Sequence, residues 1–186
     1  HTDALRALLA AHDSAPHDGA PHDGAAHDGP PRDGMSRDDA RVAFLRALRA
    51  RHRDAPIVAF THAADTARAL YRRLAPDGRV ALLTAAGGRI ASGTIVRRDL
   101  LARFAPLGSG AVAPHPAERI ALLLATDCLS EGLDLRDAGV VVHLDLPWTA
   151  ARLAQRVGRC ARPGSPHAAV HVHALRPAPD EARWLR

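Results

Sequence analysis

From Val42 onward, apolar positions along the chain switch between two periods. Val42, Leu45 and Leu48, joined by Phe44, recur at helical spacing and predict a helix running to about Arg53, with Ser36 to Asp39 as its capping residues. The short unbroken apolar run PIVAF (56–60) predicts a buried strand, and Ala67, Leu70 and Leu74 line one side of the helix after it. RVALLT (79–84) predicts a second strand and TIVRRDLLARF (94–104) a helix. RIALLLAT (119–126), GVVVHLDL (139–146) and AAVHVHAL (168–175) predict three more strands, with a helix from about Thr149 to Cys160 before the last. The Gly-, Pro- and Ala-containing stretch 105–118 reads as an exposed loop. Continuous apolar strands separated by amphipathic helices imply an α/β fold, a parallel sheet covered on both faces. In such sheets ligands gather at the carboxyl ends of the strands, so loops following strands are where chemistry is sought.

The first part of the chain breaks this pattern. Between His12 and Asp38 a five-residue period runs HDSAP, HDGAP, HDGAA, HDGPP, RDGMS, RD, with almost nothing apolar to bury. It predicts a disordered linker over residues 1–40 ahead of one domain over 41–186. Regular His-Asp pairs invite a metal, yet a floppy repeat has no fixed ligand geometry, so no metal is expected. Residues 1–11 resemble the tail of a preceding helix. With His1 at the start and the lone methionine at Met35, the expectation is a piece of a longer polypeptide.

Charge sharpens the division. Residues 1–40 hold 3 Arg and 8 Asp, a net of −5, leaving 22 Arg against 12 acids, +10, for residues 41–186. A basic domain suits a polyanionic partner. Lysine is absent, and an arginine- and alanine-rich coding composition would produce the same excess without any partner. No run of about 18 apolar residues suggests a membrane span, and the first residues lack a signal pattern, so a cytoplasmic location is expected. The two cysteines, Cys128 and Cys160, lie far apart with no CxxC, which argues against a zinc site or a disulfide framework and suits small buried residues.

Two loops after strands carry candidate chemistry. In ATDCLSEGLDL (125–135), Thr126 and Asp127 end an apolar strand and offer hydrogen bonds to a phosphate backbone, Gly132 allows close approach, and Asp134 suits ribose hydroxyls. A turn capped by aspartate would look the same. In QRVGRCARPG (155–164), Arg156, Arg159 and Arg162 stand three apart, and on one helix three guanidiniums would crowd a single stripe unless an anion sits there. Guanidinium forks match phosphate oxygens, whereas the alternative is a solvated arginine face.

Together, LLLATDCLSEGLDLRDAGVVVHLDLPWTAARLAQRVGRCARPG resembles the second RecA-like domain of superfamily 2 helicases and translocases, and among these the bacterial Swi2/Snf2-related ATPases. ATDCLSEGLDL resembles motif V and QRVGRCAR motif VI, joined by DLPW. IVAFTHAADTARALYRRL resembles motif IV, and RRDLLARFAP the segment after it. The resemblance, over about 41–186, implies a RecA-like parallel sheet with helices on both faces. It implies Arg162 as an arginine finger on the γ-phosphate, Arg159 as a supporting phosphate contact and Gln155 beside the attacking water. Gly132 and Asp134 would then close against ATP, and Thr126, Arg97, Thr61 and His62 would touch the nucleic-acid backbone. The chain departs from Snf2 proteins at Ser130-Glu131 and Asp134, where they have a Gly-Gly pair and GLNL, and at ARPGS.

No GxxxxGK[ST] and no DExx quartet occur, so the phosphate cradle and magnesium ligand are missing. The expected function is therefore the C-terminal lobe of an ATP-dependent DNA or RNA helicase or translocase. Its partners would be the nucleic-acid backbone and an absent N-terminal RecA-like lobe. ATP and Mg2+ would bind only in the two-lobe enzyme, with none bound by this chain alone. The enzyme would work in the cytoplasm, associated with the nucleoid. The alternative is a non-catalytic module derived from such a lobe that binds nucleic acid or a protein. Limited proteolysis is expected to cut first within 12–38 and leave a stable basic fragment; strong amide protection across the repeat would contradict the linker.

Overall fold

A computed structural model of the chain describes residues 36–126, 132–145 and 149–175. The pentapeptide repeat and the linker assigned to it lie outside the described residues up to position 35. At Ser36 the expected cap is present. The Ser36 hydroxyl accepts from the Asp39 N–H at 3.1 Å and the Asp39 carboxylate accepts from the Ser36 N–H at 3.1 Å, opening helix α1, Arg37–Arg51. The helix thus begins four residues before position 41. The Ser36 hydroxyl, which donates to the Asp39 carboxylate at 2.6 Å, and then the Ser36 N–H hold that carboxyl below the usual carboxylate range.

Strand β1 (Ile57–Thr61), helix α2 (Ala64–Leu74), a single 3-10 turn (Ala75–Asp77) and strand β2 (Val80–Thr84) follow. A hairpin of β3 (Gly87–Ile90) and β4 (Gly93–Ile95) comes next, then helix α3 (Arg97–Phe104) and the short α4 (Pro106–Ser109). The remaining elements are β5 (Leu122–Thr126), β6 (Val140–His143), α5 (Ala150–Gly158) and β7 (His171–Ala174). They build a seven-stranded sheet in the order β4-β3-β2-β5-β1-β6-β7. Its five-strand centre, β2-β5-β1-β6-β7, is parallel throughout, with Ile57 paired to both Leu122 and Val140. The fold is the expected RecA-like α/β arrangement.

Alternation along β1 explains the two-sided core. Ile57 and Ala59 face α1 and α2, packing with Leu45, Leu70 and Leu74, whereas Val58 and Phe60 face Leu100 and Phe104 of α3 and Leu133 and Cys160. Every residue of β1, β2, β5 and β6 is buried, as strands covered on both faces require.

Three expectations change. The stretch 94–104 is not all helix. Residues 93–95 pair antiparallel with β3, and β3 pairs antiparallel with β2, so the sheet is mixed at one edge. Gly93, at φ 128, takes a backbone conformation that a side chain would oppose, and this turns the hairpin. The start of 105–118 is not exposed, since Ala105 and Pro106 are buried and open α4. The last helix ends at Gly158 rather than Cys160.

Arg79 has φ 58, the one non-glycine residue in the left-handed region among those described, at a cost of about 1 kcal/mol. The conformation turns its carbonyl to accept from Ala121 (2.8 Å) and Leu122 (3.2 Å), which starts the pairing of β2 with β5.

Where β7 meets the end of α1, the His52 and His171 rings lie 4.9 Å apart, His52 and His173 6.3 Å apart, and Phe44 sits edge-on to His173 at 5.9 Å. Burial first, then the neighbouring imidazoles and Arg51, keep His52 and His173 below the usual imidazole range. The unfolded chain therefore takes up these protons first, near the ordinary value of about 6.5. The stability they contribute at neutral pH is lost as pH falls from there through their lower folded values. Thermal melts from pH 7.5 to 5.5 should show Tm declining, and declining less in His52→Gln. Equal declines in both would contradict the assignment.

Candidate functional site

Four parallel strands end on polar residues that are nonetheless buried: Thr61, Thr84, Thr126 and His143. Buried polar groups need partners, and beyond β6 the partner is Asp145. Its carboxylate accepts from the Thr61 hydroxyl at 2.5 Å and from the His62 N–H at 3.0 Å, and lies 2.9 Å from the His62 ring Nδ1. Arg156, on α5 and 1% exposed, reaches the same carboxylate at 3.3 Å and donates to the Asp145 carbonyl at 3.2 Å. It also meets the His143 Nδ1 at 3.3 Å and the Phe60 ring, whose centroid is 5.6 Å from the guanidinium carbon. One carboxylate thus ties the ends of β1 and β6 to α5.

The three arginines do not share a stripe, because the helix ends between the first and second. Thr149 caps α5 at its start, accepting from the Arg152 N–H at 3.3 Å, and the buried Leu153 and Arg156 mark its inner face. Arg159 stands at the C-cap, half-buried, and Arg162 one turn beyond. The anion for Arg156 is Asp145. Arg162 faces Asp134 at 3.5 Å and donates from Nε to the Gly158 carbonyl at 3.2 Å. Asp134 is also gripped by Arg136 at 2.5 Å. Those Arg136 hydrogen bonds, ahead of the Arg162 charge, hold its carboxyl below the usual range.

Two loops separated by more than twenty residues therefore meet. The Leu135 N–H donates to the Arg159 carbonyl at 2.9 Å, Arg136 donates to the Pro163 carbonyl at 3.2 Å, and Ser165 donates to the Arg136 carbonyl at 2.9 Å. Cys160 is fully buried beneath this junction, and burial pushes its thiol up to about 12, so it is packing rather than chemistry. Cys128 lies outside the described residues, as does Asp127.

The sequence-named residues fall into separate environments. Asp134, Arg159 and Arg162 come together at the loop junction. Arg97, exposed at the start of α3, lines an open cleft of about 530 Å³ with Arg98, Gly132 and Asp134. Thr61 and Thr126 are buried at strand ends, His62 is exposed beside Asp145, and Gln155 is exposed on α5. Sequence reasoning missed Asp145, although it sits in a loop directly after a strand. It also missed Asp137, which is buried and accepts from the Leu107 and Gly108 N–H groups at 3.2 and 2.9 Å.

The chain belongs to the helicase conserved C-terminal domain family, matching it over residues 41–164. Among curated relatives it is 31% identical over 111 residues to a probable ATP-dependent RNA helicase, ddx51, of Dictyostelium discoideum, covering 59% of this chain and 18% of that protein. It is 35% identical over 68 residues to DEAD-box ATP-dependent RNA helicase 53 of Oryza sativa subsp. japonica, covering 37% and 11%. The chain thus spans less than a fifth of either relative. Among solved structures, the C-terminal part of the Fun30 ATPase domain matches with TM-score 0.54 at 17% identity, covering 75% of this chain and 40% of that one. The E. coli DEAD-box protein SrmB, solved bound to regulator of ribonuclease activity A, matches with TM-score 0.51 at 19% identity, covering 74% and 71%. These structures share the fold. RNA helicases dominate the named relatives, so the particular closeness to Swi2/Snf2 ATPases is not carried by them. Among the described residues no helix is long and apolar enough to cross a membrane.

The junction leaves no room for one added carbon. A Cβ on Gly108 would lie 2.2 Å from the Asp134 carbonyl oxygen, so Gly108→Ala must push α4 and the 132–134 loop apart. A loss of about 1–3 kcal/mol in denaturant unfolding is expected. A variant as stable as the parent would show that these loops are not held in contact.

Proposed function

We propose that this chain is the second RecA-like lobe of an ATP-dependent DNA or RNA helicase or translocase. In this reading Arg159 and Arg162 face the phosphates of an ATP bound on a first lobe. The observation that carries it is the junction itself. Asp134 meets Arg162 at 3.5 Å in the loop that leads into β6, with the Leu135 to Arg159 hydrogen bond locking one loop to the other. Cations there stabilise charge that builds on a transferring phosphoryl group.

The residues fit one side of a nucleotide. Arg159, whose side chain makes no ion pair among the described residues, and Arg162 offer guanidinium forks, while Asp134 is already held by Arg136 and is unsuited to receive a metal. ATP would supply the phosphoryl group and the free energy of its transfer, and Mg2+ would be held by the first lobe. On closure Arg162 exchanges the Asp134 carboxylate for phosphate, and Gln155, exposed on α5 ahead of it, approaches the attacking water. Gly132 and Asp134 border the nucleotide. Arg97, on the cleft beside them, and His62, exposed at the end of β1, contact a nucleic-acid backbone. Thr61 and Thr126 act at the same edge from buried positions, Thr61 by orienting Asp145. The chain alone does not hydrolyse ATP, and a DNA-tracking enzyme of this kind would reside on the nucleoid. Kinship with Swi2/Snf2 ATPases rests on the QRVGRCAR block and its spacing from ATDCLSEGLDL.

The internal carboxylate partner of Arg162 favours a second reading, a module that never meets ATP. The two separate in a two-lobe enzyme completed from the parent gene. Arg162→Ala should lower turnover by about 10³-fold with ATP and nucleic-acid affinity nearly intact, and Arg162→Lys should not restore it. Arg97→Ala should weaken nucleic-acid binding and spare hydrolysis measured without nucleic acid. Phosphate release unaffected by Arg162→Ala would support the module and exclude the finger.

A further inference from the structure

The opposite end of the sheet carries a second concentration of arginines that this function does not use. At the amino-terminal ends of β1, β2 and β5, Arg46, Arg49 and Arg53 of the α1 end and Arg79 line a cleft of about 470 Å³ together with His52 and Asp77. A neighbouring cleft of about 660 Å³ shares Arg53 and Arg79 and adds Arg119, with Asp54 and Asp137 on its walls. The two form one continuous groove. It lies a full strand length, about 16 Å, from Thr61, His62 and Thr126 at the carboxyl ends of the strands.

The charges in this groove are poorly matched. Arg46 is neutralised by Asp77, which it grips at 2.7 and 3.0 Å. Asp137 is occupied by the α4 backbone. Arg49, Arg53 and Arg79 donate to backbone carbonyls, Gly78 at 2.8 Å, Ala50 at 3.3 Å and Arg119 at 2.8 Å, and Arg49 shares Asp77 only at 4.0 Å. A carbonyl satisfies a hydrogen and leaves the charge standing, and each guanidinium keeps further N–H donors. Arg119 Nε is buried without a partner among the described residues. Burial first, and then the Arg79 and Arg46 charges against the pull of Asp77, lower the Arg49 guanidinium below the usual arginine range. An incoming anion would relieve both strains.

We propose that Arg49, Arg53 and Arg79 form a second phosphate-binding groove at the amino-terminal end of the sheet, which takes the phosphodiester backbone of a single nucleic-acid strand. The geometry suits a chain of phosphates. Arg46 and Arg49 lie three residues apart on α1, Arg53 follows two residues past its end, and Arg79 lines the same open groove. The choice of a nucleic-acid strand among polyanions rests on the function proposed above; the anion site does not.

Arg79 makes the test clean, because glycine suits its left-handed backbone. Arg79→Gly removes the guanidinium while relieving the φ 58 conformation, and Arg53 is exposed, so the pair Arg53→Gln/Arg79→Gly should fold with Tm at or above that of the parent. The whole 186-residue chain is titrated into a labelled single-stranded oligonucleotide, read by fluorescence anisotropy from 50 to 200 mM salt. The double variant should bind at least about tenfold more weakly at low salt. The slope of log Kd against log salt should fall by about 1.4, two contacts at about 0.7 each. Arg53→Glu, a charge reversal on a surface residue, should weaken binding by itself and serves as the second variant. Unchanged affinity and slope in both would overturn the groove. Tripolyphosphate, the free-phosphate probe, should compete only weakly; if it binds tightly and alone loses affinity in the variants, the ligand is a small polyphosphate and the strand is overturned. Arg97→Ala separates this groove from the function proposed above. Weakening by Arg97→Ala alone would sink the groove and leave the lobe's reading standing, whereas weakening by Arg53→Gln/Arg79→Gly alone would support the groove and remove the path at the carboxyl edge.

Discussion

A single carboxylate, Asp145, holds the working edge of this domain in register. Four groups from two segments converge on it: the Thr61 hydroxyl, the His62 backbone and ring, and the Arg156 guanidinium. A buried cation such as Arg156 is tolerable only with a partner, and removing the partner is far worse than never having had the pair. The consequence reaches beyond stability. With Arg156 anchored beneath the sheet edge, α5 must stop where it does, and Arg159 and Arg162 are left on the following turn, facing outward beside Asp134. The same residue type thus serves two purposes three positions apart, one arginine as an internal bolt and two as surface cations.

The two ends of the sheet carry different electrostatics. At the carboxyl edge Asp145 partners the buried Arg156, and in the loop leading to β6 Asp134 partners Arg136 and Arg162. At the amino-terminal end, Arg53 and Arg79 lean on carbonyls and keep their charge, and Arg49 adds to its carbonyl only a 4.0 Å approach to Asp77. Between the two runs a parallel centre whose strands are buried on both faces, stiff enough to keep the ends about 16 Å apart.

Much of this was legible in the sequence because burial on both faces leaves an unmistakable mark. IVAFT, VALLT, LLLAT and VVVH read as strands without help, and motif-like blocks in the loops after them located Gly132, Asp134, Arg159 and Arg162. The hairpin of β3 and β4 escaped because GGRIASGTI has little apolar content and only an edge to pair with. Arg156 looked equivalent to its neighbours, since a period of three says nothing about where a helix stops. Asp145 was silent for a related reason: its partners lie 84 and 11 residues away, and only the parallel pairing of β1 with β6 brings Thr61 beside it. The amino-terminal arginines were invisible as a group because α1 and the turn before β2 lie about thirty residues apart and meet only in the fold, through Arg46 with Asp77 and Arg49 with the Gly78 carbonyl.

The central claim is that Asp145 and Arg156 act as one unit, and a double-mutant cycle measures this directly. Unfolding free energies of the parent, Asp145→Asn, Arg156→Gln and the double variant are to be determined by urea denaturation at neutral pH. Each single change strands a buried partner, so the account predicts a coupling of about 2 kcal/mol or more, with the double variant far less destabilised than the sum of the singles. Additive losses within about 0.5 kcal/mol would contradict it, and would mean that α5 is placed by apolar packing alone.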